Sequence, residues 1–298
     1  MSIGIIAEYN PFHNGHIYQI NYIKKLFPGE EIFVVMSGKY VQRGELAVAS
    51  FRKRKKIALK HGVNKVIEIP QKFVVQAAHI FAQESVKLLN DYGVSKIVFG
   101  SETNNVDLFY QVANVLKDNL AEYNAKLKVN LKKGNSFPKA AALTLEEICG
   151  NSFVMPNDIL GIEYVKAIVN NNYNIQAISI KREVGFHSDE TKDNMASASK
   201  IRKMLFNGED YSFYSPMTFK KIPKRIEDKY SKFQKIMKTK PLSEIARINL
   251  VSEGMENLFY KHIDEKTYDE FINRVNSKRY TSSRIKRVIL SIILHYKK

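Results

Sequence analysis

Through the first two hundred residues, short apolar runs alternate with segments in which apolar positions recur every three or four residues. IGIIAEY (3–9), EIFVVMS (31–37), KVIEIP (65–70) and SKIVFG (95–100) are compact and β-rich, the pattern of strands buried on both faces. Between them, Ile17, Ile20 and Ile23 repeat with helical spacing, ASFRKRKKIALKHG (49–62) reads as a helix closed by Gly62, and AAHIFAQESVKLLNDYG (77–93) as one closed by Gly93. Helical segments follow over 105–123, 136–149 and 156–171, then a fifth β-rich run, IQAISIKR (175–182), a polar loop (183–197) and a helix containing SKIRKMLFNG. This alternation predicts βαβ units, hence an α/β fold with a parallel sheet covered on both faces and ligands at the carboxyl ends of its strands. YNPFHNGH (9–16) and FGSE (99–102) fall at such ends. Beyond about residue 208 the pattern is helical and lysine-rich, which divides the chain into an α/β catalytic domain over 1–207 and a helical basic domain over 208–298.

The 298 residues suffice for two such domains, and 44% apolar with 26% charged residues is ordinary for a globular protein. No apolar run reaches the roughly 18 to 20 residues of a membrane span. MSIGIIAEYN lacks the basic start and cleavage site of a signal peptide, so the expected location is the cytoplasm. Cys149 is the only cysteine, which excludes an internal disulfide and a thiolate zinc cluster; its place at a helix end suggests buried filler rather than a nucleophile. The net charge of +17 is unevenly spread: residues 200–298 hold 23 Lys and Arg against 11 Asp and Glu, a net of +12. That bias fits a polyanionic partner met by the C-terminal part, and equally a lysine-rich solvated surface.

His13 and His16 bracket Asn14 and Gly15 straight after the first strand. A helix starting near Phe12 to Asn14 sets the two imidazoles on one face of its first turn, beside free backbone N–H groups that attract anions. Gly15 removes a side chain where a base or ribose would approach. Two histidines packed near a turn, and a two-histidine zinc site, remain open, although no third ligand stands close by at helical spacing. A second constellation, SASKIR (197–202), puts Ser197 and Ser199 before a helix with Arg202 one turn in, which is either an ordinary cap or another phosphate clamp. FRKRKK (51–56) reads equally as a solvated helix face or as a phosphate contact.

H-x-G-H after strand one, with an S-x-S-x-I-R helix start after the last strand, resembles the HIGH-type nucleotidyltransferase superfamily. EYNPFHNGH (8–16), VMSGKYVQRGELA (35–47), VIEIP (66–70), FGSE (99–102), PNDILGIEY (156–164) and RYTSSRIKR (279–287) narrow the likeness, along nearly the whole chain, to the bacterial tRNA(Met) cytidine acetate ligase family. That resemblance implies a Rossmann-like sheet and an ATP-dependent ligase. Such a ligase activates acetate as acetyl-adenylate, releases pyrophosphate and acetylates N4 of the wobble cytidine of elongator tRNA(Met). By matching position it implies an ATP site of Ile6, Ala7, Glu8, Tyr9, Asn10, Pro11, Phe12, His13, Asn14, Gly15, His16, Ile17, Tyr18 and Gln19, with Gly100, Asn157 and Arg182. His13, His16, Ser199 and Arg202 take the catalytic roles, and Mg²⁺ is expected with the ATP. Gly100 would let adenine or ribose lie against the backbone, and Gln42, Arg43 and Glu45 would shape the acetate or cytidine pocket.

The resemblance is to a family whose members are usually longer, with substantial chain after the RYTSSRIKR region, whereas this sequence stops at Lys298; if the missing segment helps to hold tRNA, tRNA would be gripped differently or the chain is a shortened form. Two rival readings stand beside the ligase: a small-molecule adenylyltransferase on the same scaffold, and a non-catalytic tRNA-binding module. The first leaves the basic C-terminal third unexplained; the intact His13, Gly15, His16, Ser199 and Arg202 speak against the second.

Overall fold

The computed structural model describes residues 1–150, 155–182 and 191–297. β1 (Ser2–Ala7) leads into α1 (Asn14–Leu26), β2 (Glu31–Ser37), a small hairpin of β3 (Tyr40–Val41) and β4 (Glu45–Leu46), α2 (Phe51–Lys60), β5 (Lys65–Ile69), the single turn α3 (Gln71–Val74), α4 (Ala78–Asp91) and β6 (Lys96–Ser101). Then come α5 (Val106–Asp118), α6 (Leu120–Lys132), α7 (Phe137–Cys149), α8 (Pro156–Asn170) and β7 (Gln176–Lys181). A second hairpin, β8 (Thr191–Lys192) with β9 (Met195–Ala196), precedes α9 (Ala198–Asn207). The remainder carries α10 (Tyr230–Thr239), α11 (Leu242–Ile245), α12 (Met255–Lys261), α13 (Tyr268–Val275) and α14 (Ser282–Leu294).

Five strands form the expected parallel sheet, in the order β5-β2-β1-β6-β7, with Ile5 of β1 beside Val34 of β2 and Gly100 of β6 beside Ile180 of β7. The chain moves outward from β1 through β2 and β5, then crosses to the other side of β1 with β6. The crevice at the carboxyl ends of β1 and β6 is therefore the point where strand order reverses, the usual ligand position of such sheets. Alternate residues of β2 serve opposite faces: Val34 and Met36 join a core with Ile20 and Ile23 of α1 and Ala58 of α2, while Val35 joins Val86 and Leu89 of α4 and Val165 of α8. Burial on both faces is why these strands read as continuous apolar runs rather than alternating ones.

A third core belongs to the C-terminal helices. Phe233, Phe259 and Phe271 meet edge-on with centroids 5.4 to 6.0 Å apart, and Ile285, Val288, Ile289, Ile292 and Ile293 of α14 fill the space beside them. Tyr40 of β3 and Val75 also belong to this core, so the two halves share packing. Residues from Ser215 to Met217 lie back on the α/β half, where Ser215 Oγ donates to the carbonyl of Phe12 at 2.7 Å.

Two expectations need correcting. The segment 105–123 is not one helix: α5 ends at Asp118, and α6 starts at Leu120 after Asn119, whose amide donates to the carbonyl of Val115. The QRGE stretch forms part of the β3–β4 hairpin. FRKRKK is not a uniformly solvated face, because Arg54 in its middle is 0% exposed. Its Nε donates to the carbonyl of Ala49 at 3.1 Å, while Nη1 and Nη2 reach the carbonyls of Glu8 and Gly38. Arg54 thereby ties the carboxyl ends of β1 and β2 to α2, and burial lowers its pKa to about 10 against the opposing pull of Glu8 and Glu68. Of the polar loop expected over 183–197, residues 183–190 lie outside the described residues.

Candidate active site

A cavity of about 930 Å³ opens at the carboxyl end of the sheet, within the size range of small-molecule sites. Its floor is the strand-to-helix turn after β1. Tyr9 takes a left-handed backbone conformation (φ 48°) and its ring packs edge-on against Phe12 and His16, at 4.8 and 4.7 Å. His13 is the N-cap of α1 and His16 is its third residue.

The two histidines cap their own helix. His13 Nδ1 accepts from the N–H of Gly15 and His16 Nδ1 accepts from the N–H of His13, both at 3.1 Å, a capping box made of imidazoles. The rings lie 3.7 Å apart between centroids. With Nδ1 used as an acceptor, the neutral ring carries its hydrogen on Nε2. Burial, reinforced by Arg182 and Arg202, lowers His13 to about 3; burial, His13 and Arg182 hold His16 well below its ordinary value. Both rings are thus neutral near pH 7, each presenting one Nε2–H donor.

This geometry corrects three expectations. The N–H groups of the first turn are not free for an anion: that of Asn14 bonds the carbonyl of Tyr214 at 3.0 Å, that of Gly15 the ring of His13, and that of His16 the carbonyl of His13 at 2.9 Å. Nor does Gly15 make room for a ligand, since a Cβ there would lie 2.9 Å from His13 Cε1; it makes room for the imidazole. At Gly100 the corresponding space is taken by the side chain of Arg182, with Cγ 3.1 Å away.

Of the segment 6–19, Ile6, Ala7, Glu8, Tyr9, Asn10, His13, His16 and Gln19 line the cavity, as do Gly100, Asn157, Arg182 and Arg202. Pro11, Phe12, Asn14, Gly15, Ile17 and Tyr18 do not. Phe12 is core, Asn14 pins the carbonyls of Asn194 and Phe213, and Tyr18 is exposed against Tyr22. Arg202 donates to the carbonyl of Asn10 at 2.8 Å. Ser197 is the N-cap of α9, accepting from the N–H of Lys200. Ser199 sits inside the first turn, off the cavity, and its shielded hydroxyl has no hydrogen-bond partner among the described residues. Asn157 donates to Glu102 at 2.5 Å, while Asp158, 1% exposed, accepts from Ser101 Oγ and from the N–H groups of Glu102 and Thr103, fastening the start of α8 to the end of β6.

The opposite wall comes from the C-terminal half. Ser252, Arg279, Thr281, Arg284 and Arg287 line the same cavity, a convergence the sequence pattern did not show. Arg279 is paired with Glu253 and Arg284 donates to Ser252 Oγ at 2.7 Å. Arg287 has no ion pair among the described residues, its Nε is shielded, and burial beside Arg284 lowers it to about 10. The hairpin closes the seam: Lys286 binds Glu45 at 2.7 Å, and at Gly44 (φ 82°) a Cβ would lie 2.6 Å from the backbone N of Arg287.

The HIGH Nucleotidyl Transferase family matches residues 1–298. The tRNA(Met) cytidine acetate ligase of Mycoplasma mobile is 60% identical over 300 residues, covering 100% of both chains. The chain belongs to the tRNA(Met) cytidine acetate ligase family. The crystal structure of apo Thermotoga maritima TmcAL superposes with a TM-score of 0.90 at 31% identity, covering 100% of this chain and 76% of that one. The Thermotoga maritima TmcAL structure bound with alpha-thio ATP matches at 0.88 and 32%, with the same coverage. The family thus shares both the sheet and the helical half that wall the cavity described above. Among the described residues no group of three or more His, Cys, Asp or Glu is placed to hold a metal, and no helix is long and apolar enough to cross a membrane.

Proposed function

We propose that this chain is an ATP-dependent ligase that joins acetate to the α-phosphate of ATP, releases pyrophosphate, and passes the acetyl group from acetyl-adenylate to N4 of the wobble cytidine of elongator tRNA(Met). One observation carries this: neutral imidazole donors and arginines from the α/β half face arginines from the helical half across a single cavity. Acetate is itself the nucleophile, so the protein works by holding reactants in line and stabilising charge.

In this reading the Nε2–H groups of His13 and His16 donate to phosphate oxygens as charge builds on the α-phosphorus, with Arg182 and Arg202 adding charge-assisted bonds. Asn157, held by Glu102, and Gln19, held by the carbonyl of Val98, supply amides to the nucleotide. Ser199 enters only by supporting the turn that carries Arg202. Mg²⁺ is expected to arrive on the phosphates, consistent with its preference for phosphate oxygens and water over an all-protein cage. Residues 208–298 serve as the tRNA-binding part, and Arg284 and Arg287 neutralise RNA phosphates flanking the cytidine.

Incubation with labelled acetate, ATP and tRNA followed by digestion of the RNA tests this. Labelled N4-acetylcytidine is the expected product. Acetate-dependent pyrophosphate exchange without labelled RNA would remove the transfer step, and turnover of another acceptor without acetate would favour a small-molecule adenylyltransferase.

A further inference from the structure

A carboxylate repels phosphate oxygens, so Glu8 is not a direct phosphate ligand in the reading above. It follows β1 directly and lines the cavity beside the histidine pair. Its Oε1 accepts from the N–H of Gln42 at 2.7 Å, and its carbonyl is held by Arg54. Its Oε2 has no hydrogen-bond partner among the described residues, and no ion pair ties the carboxylate there. Arg43 of the hairpin, Arg54 of α2, Arg202 of α9 and Tyr164 of α8 are the charged and titratable groups around it.

Transfer of the acetyl group needs a proton acceptor. The N4 amine attacks the acetyl carbonyl carbon; an N–C bond forms, the C–O bond to the adenylate breaks, AMP leaves with that electron pair, and one N4 proton must be removed. The cavity offers few bases. His13 and His16 use Nδ1 to accept backbone N–H groups and present only Nε2–H donors. Glu45 is bound to Lys286 and Glu163 to Lys166, at 2.7 and 2.9 Å. His79 lies against Phe137 of α7, with burial, Lys166 and Arg287 disfavouring its charged form against the pull of Glu163.

We propose that Glu8 Oε2 accepts a hydrogen bond from the N4 amine of the target cytosine and takes its proton as the acetyl group is transferred. This rests on the ligase reading above. Carboxylate-to-N4 pairing is a regular mode of cytosine recognition. The same oxygen would face the O4 acceptor of a uracil, so Glu8 also rejects uridine by repulsion. Burial raises its pKa, against the opposing effects of the Gln42 N–H and of Arg202, Arg43 and Arg54, which brings a carboxylate closer to the working range of a general base.

The test compares the full chain with Glu8→Gln and Glu8→Asp, reading acetate-dependent ATP–pyrophosphate exchange and single-turnover transfer to tRNA separately. Glu8→Gln is expected to slow transfer by about 10²- to 10⁴-fold, far more than it slows exchange, and to abolish the rise of the transfer rate with pH through the Glu8 titration. Glu8→Asp, which keeps the charge but withdraws it by one methylene, is expected to show an intermediate rate with that rise retained. Equal losses in exchange and transfer would overturn the proposal and give the carboxylate to the nucleotide or its metal. So would a Glu8→Gln transfer rate with the wild-type pH profile. Wild-type protein that acetylates no tRNA would overturn the ligase reading and this assignment together; wild-type acetylation with equal losses overturns the assignment alone.

Discussion

The ring of His16 accepts a hydrogen bond from the backbone N–H of His13 at 3.1 Å, so the residue that presents a donor to the cavity also fixes the start of its own helix. Helix capping and the proposed catalytic donor meet in one side chain, and the two contributions are separable by substitution. Replacing His13 with Asn, a strong N-cap residue, is expected to keep stability within about 1 kcal/mol. Loss of the Nε2–H is expected to lower acetate-dependent exchange by roughly 10² to 10³. His16→Ala is expected to lose both. Thermal melts and pyrophosphate exchange on the same preparations check this.

The histidine pair also sets a pH dependence. His13 is neutral in the folded protein down to about 3, whereas an unfolded histidine binds a proton below roughly 6.5. The unfolded state therefore takes up more protons between those values, and stability falls as pH drops through that window. For His13 alone the loss from pH 7 to pH 5 amounts to about 2 kcal/mol. Urea denaturation at the two pH values is expected to show a smaller drop for His13→Asn than for the wild type.

Gly15→Ala places a methyl 2.9 Å from His13 Cε1. The imidazole has to swing away, breaking its bond to the Gly15 N–H and misdirecting its donor. The expected result is a loss of exchange of tenfold or more with a modest fall in melting temperature, and a chemical-shift change confined to His13 and His16 in an NMR spectrum.

Arg54→Ala removes the cation that joins the carbonyls of Glu8, Gly38 and Ala49. The stranded carbonyls and the cavity are expected to cost about 3 to 5 kcal/mol, measured by denaturant unfolding.

Arg287→Ala takes out a half-buried cation that lacks an anionic partner among the described residues. Removal of such a charge is expected to leave or raise stability while weakening tRNA binding more than tenfold. The slope of log affinity against log salt is expected to fall by about 1, read by filter binding over a salt series.

Much of the α/β half was legible because its signals are local. Strands buried on both faces must be apolar throughout, so IGIIAEY and EIFVVMS announced β1 and β2, and the break at Asn10-Pro11 put His13 at a helix start. What escaped the sequence depends on distant partners. Arg54 lies in a charge run of the kind that covers solvated helices, and only the carbonyls of Glu8 and Gly38, brought together by the sheet, explain its burial. Histidine is not a usual cap residue, so the mutual bonding of His13 and His16 had no pattern to betray it. The hairpin of Tyr40–Val41 and Glu45–Leu46 is too short for an alternating signature. The arginines of α14 meet the cavity through tertiary closure alone.

Gly44 has a consequence for how such a chain can change over time. Its missing side chain admits the backbone of α14 to within van der Waals reach of the hairpin, and α14 is at once the spine of the helical half and a wall of the cavity. Severed from α14, the α/β half would lose a wall of its own chamber, so it is not expected to work as a self-contained cassette. The two halves are therefore expected to be inherited together.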